Sequence, residues 1–444
     1  MQSDAETCAD PPAGRIRGLQ PRRLPRGLLA VLLGGVLVGC VTIPRAAAPP
    51  TVIADVAPPG FGPTVRFLGN DRDAFVANAE KTLRRVRDAA DGGPINILAL
   101  SGGGAGGSFA AGALVGMSRR GDRPEFQIVT GVSAGALIAP FAFLGPRWDG
   151  ELEKTFNGLQ SDHFLRPRGI AFLFRPGFYD QRPLADLIDH IASRKLLTEV
   201  GRERAKGRLL LVATTDLDKQ ETVIWDMGAI ALGEGEKARA LFRDVLMASA
   251  SIPGVLPPVL IHVEGGGRSY DEMHVDGGTT MPFFIASEIA QLAPQTLEPL
   301  KGARVLVLVN GQLSSYPRTT PERPVAVLSR TFSAALMHAS RTALEASLAF
   351  AERYSMSFRY SFIPVTHAYG GALRFKSAEM HALFDYGARC AEKGALWTTV
   401  AQAIEEGQPA AQALPHFDDS CTLGAAQPWG RLKKGPEGDS SLPV

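Results

Sequence analysis

Three short segments of this chain carry residue types at spacings that can do chemistry. They are Ser101-Gly102-Gly103-Gly104-Ala105-Gly106-Gly107, Gly131-Val132-Ser133-Ala134-Gly135 and Asp276-Gly277-Gly278. Glycines two before and two after Ser133 permit a sharp strand-to-helix turn that exposes the hydroxyl as a nucleophile. The amide of Ala134 would then face a developing oxyanion, and the positive end of the following helix would favour that charge. The glycine run before another helix offers further amides of the same kind, those of Gly102, Gly103 and Gly104. Asp276 ends a strand-like run, and a carboxylate within hydrogen-bond reach can take a serine proton directly. Taken one at a time, these motifs have plainer roles: a tight turn with a solvated serine, or a turn aspartate in an Asp-Gly pair.

The glycine run has a second reading. Gly102, Gly104 and Gly107 satisfy G-x-G-x-x-G, the dinucleotide fingerprint. That reading wants an acidic residue at the end of the next strand, whereas Asp122 and Glu125 precede it, and Ser133 would have no task. The oxyanion reading uses all three segments. Among the eight histidines, His367, His381 and His416 lie late enough for a Ser-His-Asp order. None of them sits in a turn-rich context, and His338 and His381 fall on predicted helices. The expected machinery is therefore Ser133 with Asp276. No Cys, His and carboxylate cluster has zinc-like spacing, so neither a metal nor an organic cofactor is expected.

These residues need rigid elements behind them. Ile95–Leu100 and Phe126–Thr130 are short apolar runs that read as strands, each delivering one of the first two motifs. Residues 208–214, Arg304–Val309 and Ser361–Val365 read as further strands, with Thr222–Trp225 pairing beside the first and Tyr270–Val275 leading to Asp276. Helical patterns cover Arg72–Ala90, Ser108–Met117, Ala134–Phe143, Val325–Tyr354 and Ser377 to about Gly394. Apolar strands alternating with helices predict an α/β fold, a three-layer α/β/α arrangement around a central, mostly parallel sheet.

The glycine loop, G-x-S-x-G and D-G-G, in that order, resemble the signature of the patatin-like phospholipases. Ala248-Ser249-Ala250-Ser251-Ile252-Pro253-Gly254-Val255-Leu256-Pro257-Pro258 also resembles that family's segment ahead of the aspartate. The resemblance runs from about Ile95 to about Gly394. It implies a patatin-like fold and a Ser-Asp dyad, with Ser133 as nucleophile, Asp276 as base and the glycine run as oxyanion hole. It also gives Gly107, Gly131, Gly135, Gly277 and Gly278 the place of motif glycines. The implied substrates are lipid acyl esters, phospholipids or lysophospholipids. Two positions depart from the family pattern D-G-G-G-x-R-G: Ser101 stands for the aspartate and Gly106 for the arginine, leaving no arginine there to anchor a substrate phosphate. An aromatic, proline-punctuated stretch with Phe164, Phe172, Phe174 and Phe178 reads either as an acyl-binding flap or as a packed loop.

The N-terminus has the form of an export signal. Arg15, Arg17, Arg22, Arg23 and Arg26 precede an apolar run from Leu28 to Val38, too short to span a bilayer, and Leu37-Val38-Gly39-Cys40 follows. That tetrapeptide resembles the bacterial lipobox, which implies lipidation of Cys40 and, with Val41 after it, an outer-membrane protein facing the periplasm. Removing residues 1–39 takes five basic and three acidic residues from totals of 47 and 45, leaving 42 of each. A neutral mature chain without a basic tract excludes nucleic acid as an expected partner and leaves membrane lipid. Cys390 and Cys421 remain as an even pair in an oxidising compartment, and a disulfide between them would staple the C-terminal tail. The expected organisation is a signal at 1–39, an anchor and Pro/Ala-rich flexible spacer at 40–70, a catalytic domain at 71–400 and a tail at 401–444. An acyltransferase with the same dyad, a membrane-anchored scaffold with a decayed site and a dinucleotide-binding oxidoreductase are the rival readings.

Overall fold

A computed structural model describes residues 45–53, 56–62, 65–68, 72–158, 164–169, 176–285, 294–315, 317, 319–398 and 421, with only the backbone of 72–79. The expected signal and Cys40 lie outside the described residues, as do Phe172, Phe174 and His416. Nine strands form one sheet: β1 Arg66–Leu68, β2 Asn96–Leu100, β3 Ile128–Val132, β4 Leu209–Asp216, β5 Glu221–Asp226, β6 Val259–Gly265, β7 Arg268–Asp276, β8 Arg304–Val309 and β9 Ser357–Phe362. Their main path runs β1-β5-β4-β3-β2-β8-β9, parallel from β4 through β9, with β1, β5, β7 and β6 antiparallel at one side. This is the α/β architecture with a mostly parallel central sheet.

The central strands are buried on both faces, which is why they read as continuous Leu, Ile and Val runs. Along β2, Leu98 and Leu100 enter one core while Ile97 and Ala99 enter the other. The first core is closed by α2 Gly107–Arg120, α3 Ala134–Leu144 and α10 Ser377–Glu392, among others. The second receives α1 Arg72–Asp88 and α9 Pro324–Arg353. Five helices complete the described set: α4 Asp149–Phe156, α5 Arg182–Ile191, α6 Arg194–Ala205, α7 Met227–Ala231 and α8 Gly235–Ser249.

Two expectations shift. The last strand spans Ser357–Phe362 rather than Ser361–Val365, because as an outer strand it alternates Ser-Phe-Arg-Tyr and lacks the continuous apolar run of its neighbours. The segment expected as a flexible spacer is docked as far as it is described. Arg45 makes a two-pronged ion pair with Asp218, Ala46 and Asp271 bond to each other, and Ala57 bridges Glu264 on β6. Its prolines bar a helix, but they do not bar extended backbone from lying along a hairpin. Cys390 of α10 and Cys421 form a disulfide.

Candidate active site

The sheet itself brings Ser133 and Asp276 together. Ala213 of β4 pairs with Val132, the last residue of β3, and with Ile224 of β5 on its other edge. One residue further on, Thr214 still pairs with β5 but faces Asp276 of β7 on the edge that β3 has left. Strand β7 thus takes over where β3 stops, so Val132 and Asp276 stand at consecutive registers along one edge of β4, and Ser133 follows Val132 directly. The Ser133 hydroxyl donates to Asp276 Oδ2 at 2.5 Å, across 143 positions of sequence.

Each partner is held from behind. Ser133 has φ 55° and ψ −124°, a strained position for a residue with a side chain, between β3 and the first turn of α3. Its amide donates to the Ser249 hydroxyl (3.0 Å), which in turn donates to the Ala213 carbonyl (2.7 Å). Asp276 Oδ1 accepts from the Gly278 amide (2.7 Å), and the Asp276 amide donates to the Ser251 carbonyl (2.9 Å). The segment Ala248–Pro258 therefore grips both halves of the pair, through Ser249 and Ser251. Sequence reading marked that segment without giving those two serines a task. Asp276 is fully buried, and burial pushes its carboxyl up to about 7 against the pull of the Ser133 and Gly278 hydrogen bonds.

The glycine loop leaves β2 beside this pair. Gly102 lies against Ser133, but its N–H donates to the Pro282 carbonyl (3.0 Å). The expected donor role of Gly102 is thus replaced by a structural one, because a backbone N–H already spent on a carbonyl cannot serve an oxyanion. Gly103, Gly104 and Ala134 are the amides left to do so, and Gly104, Ser133 and Ala134 line one cavity. Gly103 has φ 156°, and a Cβ there would overlap the Asn310 carbonyl. Asn310, the residue after β8, locks the loop: its amide and side chain donate to the Ser101 hydroxyl (2.8 Å) and carbonyl (2.7 Å). At the position of the family arginine, a Cβ on Gly106 would overlap that same Asn310 carbonyl and crowd the Tyr369 hydroxyl. The Tyr369 hydroxyl donates to the Gly103 carbonyl (3.2 Å), and burial pushes its pKa up and keeps the proton on. Of the other motif glycines, Gly107 opens α2, Gly131 lies in β3, Gly135 in the first turn of α3, and Gly277 and Gly278 follow Asp276.

The cavity lined by Ser133 is about 810 Å³. Leu137, Phe156, Leu184, Ile252, Leu256 and Met380 make most of its wall apolar, while Lys154, Arg166 and Arg182 stand among its lining residues. Phe164 of the expected flap lines it too, stacked on Phe375 with ring centroids 4.6 Å apart.

Of the histidines considered from sequence, those that are described play other parts. His381 is exposed beside Asp385, His338 is exposed on α9, and His367 is buried against the Tyr386 ring. His274 lies two residues before Asp276, but its ring faces Thr214 and Glu272. Asp216, Glu272 and His274 bring donor atoms within 4.8 Å of one another, a spacing compatible with a metal ion. The Lys219 ammonium already stands as their cation, 2.7 Å from Asp216 and 2.5 Å from Glu272, and Arg66 pairs with Glu272 as well. Burial pushes the Glu272 carboxyl up, but hydrogen bonds from His274 and Arg66 outweigh it and hold it well below the usual range.

Residues 98–287 match the family model for the patatin-like phospholipases. The chain carries a patatin-like phospholipase domain. That places the patatin-like domain over the glycine loop, Ser133 and Asp276 alike, and places the chain with lipid hydrolases. Among solved structures, VipD from Legionella pneumophila is similar at 14% identity with a TM-score of 0.35, over 69% of this chain and 67% of that one. Human GIVD cytosolic phospholipase A2 is similar at 12% identity with a TM-score of 0.29, over 61% of this chain and 52% of that one. No curated protein matches the chain.

Proposed function

We propose that this protein is a serine acyl-ester hydrolase of the phospholipase A or lysophospholipase type, working through a Ser133–Asp276 dyad. The observation that carries the reading is the 2.5 Å bond from the Ser133 hydroxyl to a buried Asp276, at the wall of an apolar cavity large enough for an acyl chain. In the ionised state Asp276 takes the Ser133 proton as the oxygen attacks the ester carbonyl. The amides of Gly103, Gly104 and Ala134 hold the oxyanion, helped by the N-terminal ends of α2 and α3. The alcohol leaves with the proton from Asp276; water, deprotonated by the same carboxylate, then attacks the acyl carbonyl, and the acyl–Oγ bond breaks as Asp276 returns that proton to the Ser133 oxygen. Passing the acyl group to an alcohol instead of water would use the same groups, and product analysis separates the two.

The export signal and the Leu-Val-Gly-Cys tetrapeptide support a second part of the proposal, a mature protein lipidated at Cys40 in the bacterial envelope. The test of the dyad is hydrolysis of ester and phospholipid by wild type beside Ser133→Ala and Asp276→Asn, with fluorophosphonate labelling of Ser133. Both variants are expected to lose at least roughly a thousandfold in kcat with the fold intact. Full activity in either variant overturns the dyad.

A further inference from the structure

A second cavity, about 370 Å³, lies on the far side of the glycine loop from the apolar one. Gly102 lines it, whereas Gly104 lines the apolar cavity, and Ala372 and Leu373 divide between the two in the same way. The Ala105 amide donates to the Ala372 carbonyl (2.9 Å), tying the loop and the 371–373 segment into one partition. Gly102 of the smaller cavity lies against Ser133, which itself lines the larger one, so both cavities adjoin the nucleophile.

Their linings differ in charge: Lys154, Arg166, Arg182, Asp186 and His190 line the larger cavity, and a single arginine lines the smaller. The smaller cavity is walled by one face of α9, where Arg330, Ser333, Met337 and Ser340 recur at helical spacing. Gln312, Ser314 and Ser315 face them from the loop after β8. Arg330 is the single charged residue among the described residues of this lining, and no carboxylate is among them. Its half-buried guanidinium has neither an ion pair nor a hydrogen bond among the described residues. A guanidinium with five donors, sharing a cavity with serine and threonine hydroxyls and with no carboxylate among the described lining residues, is complementary to a phosphate oxyanion. No carboxylate stands among the described residues of the lining to pair with an ammonium group.

We propose that this cavity is the head-group subsite and that Arg330 is its specificity-determining residue, binding the phosphate of a net-anionic phospholipid in preference to a zwitterionic one. The proposal rests on the acyl-hydrolase reading, with the acyl chain in the 810 Å³ cavity. It also gives a phosphate contact to a chain whose position 106 has no room for an arginine.

The experiment uses monomeric dihexanoyl phosphatidylglycerol, dihexanoyl phosphatidylcholine and a neutral short-chain monoacylglycerol, so that attraction to a charged surface does not enter. Wild type is expected to prefer phosphatidylglycerol. Arg330→Ala is expected to raise KM for it by roughly 10- to 100-fold while kcat, and both constants on the monoacylglycerol, stay unchanged. Arg330→Lys is expected to restore most of the preference. Inorganic phosphate is the free-anion arm: weak competitive inhibition that disappears in Arg330→Ala supports the subsite, and inhibition equal in both proteins overturns it. An unchanged ratio between the two phospholipids in Arg330→Ala also overturns it. Should wild type cleave none of the three esters, glycerol 3-phosphate binding to wild type and Arg330→Ala decides separately: Arg330-dependent binding keeps the subsite and sinks the hydrolase reading, and equal binding sinks both.

Discussion

Asp276 must be ionised to accept the Ser133 proton, and its burial works against that. With its carboxyl pushed up to about 7, the ionised fraction falls tenfold for each unit below neutrality. We expect kcat/KM on a neutral soluble ester to rise with pH along a single limb centred at about 7 and then level off; a profile flat from pH 5 to 8 would remove Asp276 as the base. The same shift sets a stability trend of definite sign. The folded state holds this proton more tightly than the unfolded chain, so the contribution is fully present below the ordinary aspartate pKa and is lost as pH rises through about 7. Across that window the loss is ~4 kcal/mol at ~1.4 kcal/mol per pKa unit. Asp276→Asn carries no charge to bury, so its thermal midpoint should gain on that of wild type between pH 5 and pH 8, even as activity disappears. A constant gap between the two melting curves would contradict the linkage.

At the scale of elements, the site depends on β7 ending at the right register against β4, and a buried charge network clamps those two strands. Lys219 joins Asp216 of β4 to Glu272 of β7, while His274, between Glu272 and Asp276, is bonded to Thr214. Trp225 Nε1 donates to Thr214 Oγ1 (2.8 Å), which leaves the Thr214 proton for His274 Nδ1 and the ring's Nε2–H for Glu272. Lys219→Met is expected to leave two carboxylates without their shared ammonium and to destabilise the fold by about 3–5 kcal/mol, as denaturant unfolding would read. A shift under about 1 kcal/mol would reduce the network to ornament. None of this was legible in sequence, because Asp216, Lys219, Glu272 and His274 meet only through strand pairing. The parallel core was legible, since strands buried on both faces must be continuous apolar runs. The β6–β7 hairpin was missed despite a local cue: Gly266 and Gly267, with φ 57° and 72°, form the two-residue turn closed by Gly265 and Arg268. The three chemical motifs were readable because each is short and its spacing is fixed by local backbone geometry. Ser249 and Asn310 were not, because their roles are to hold a backbone group distant in sequence.

For the whole molecule, the docking of residues 45–62 changes what a lipid on Cys40 would do. A loose spacer from 40 to 70 would let the catalytic domain roam, whereas Arg45, paired with Asp218, is five positions from Cys40, a span of at most ~18 Å. On the proposed lipidation of Cys40, a tether that short would hold the domain at the lipid surface at high effective concentration, so the anchor would act on substrate capture and leave the chemistry alone. The Cys390–Cys421 disulfide fits the oxidising compartment that export would provide. Cys40→Ala, expressed with its signal intact, is therefore expected to move from the membrane fraction to the soluble one and to keep wild-type kcat/KM on a soluble short-chain ester. Its hydrolysis of phospholipid in vesicles at low enzyme concentration should fall by roughly 10²-fold, the order of gain that tethering supplies without any new contact. Retention of the variant in the membrane fraction would show that a surface other than Cys40 carries the attachment, and loss of soluble-ester activity would show that the N-terminal segment matters to the fold of the site itself.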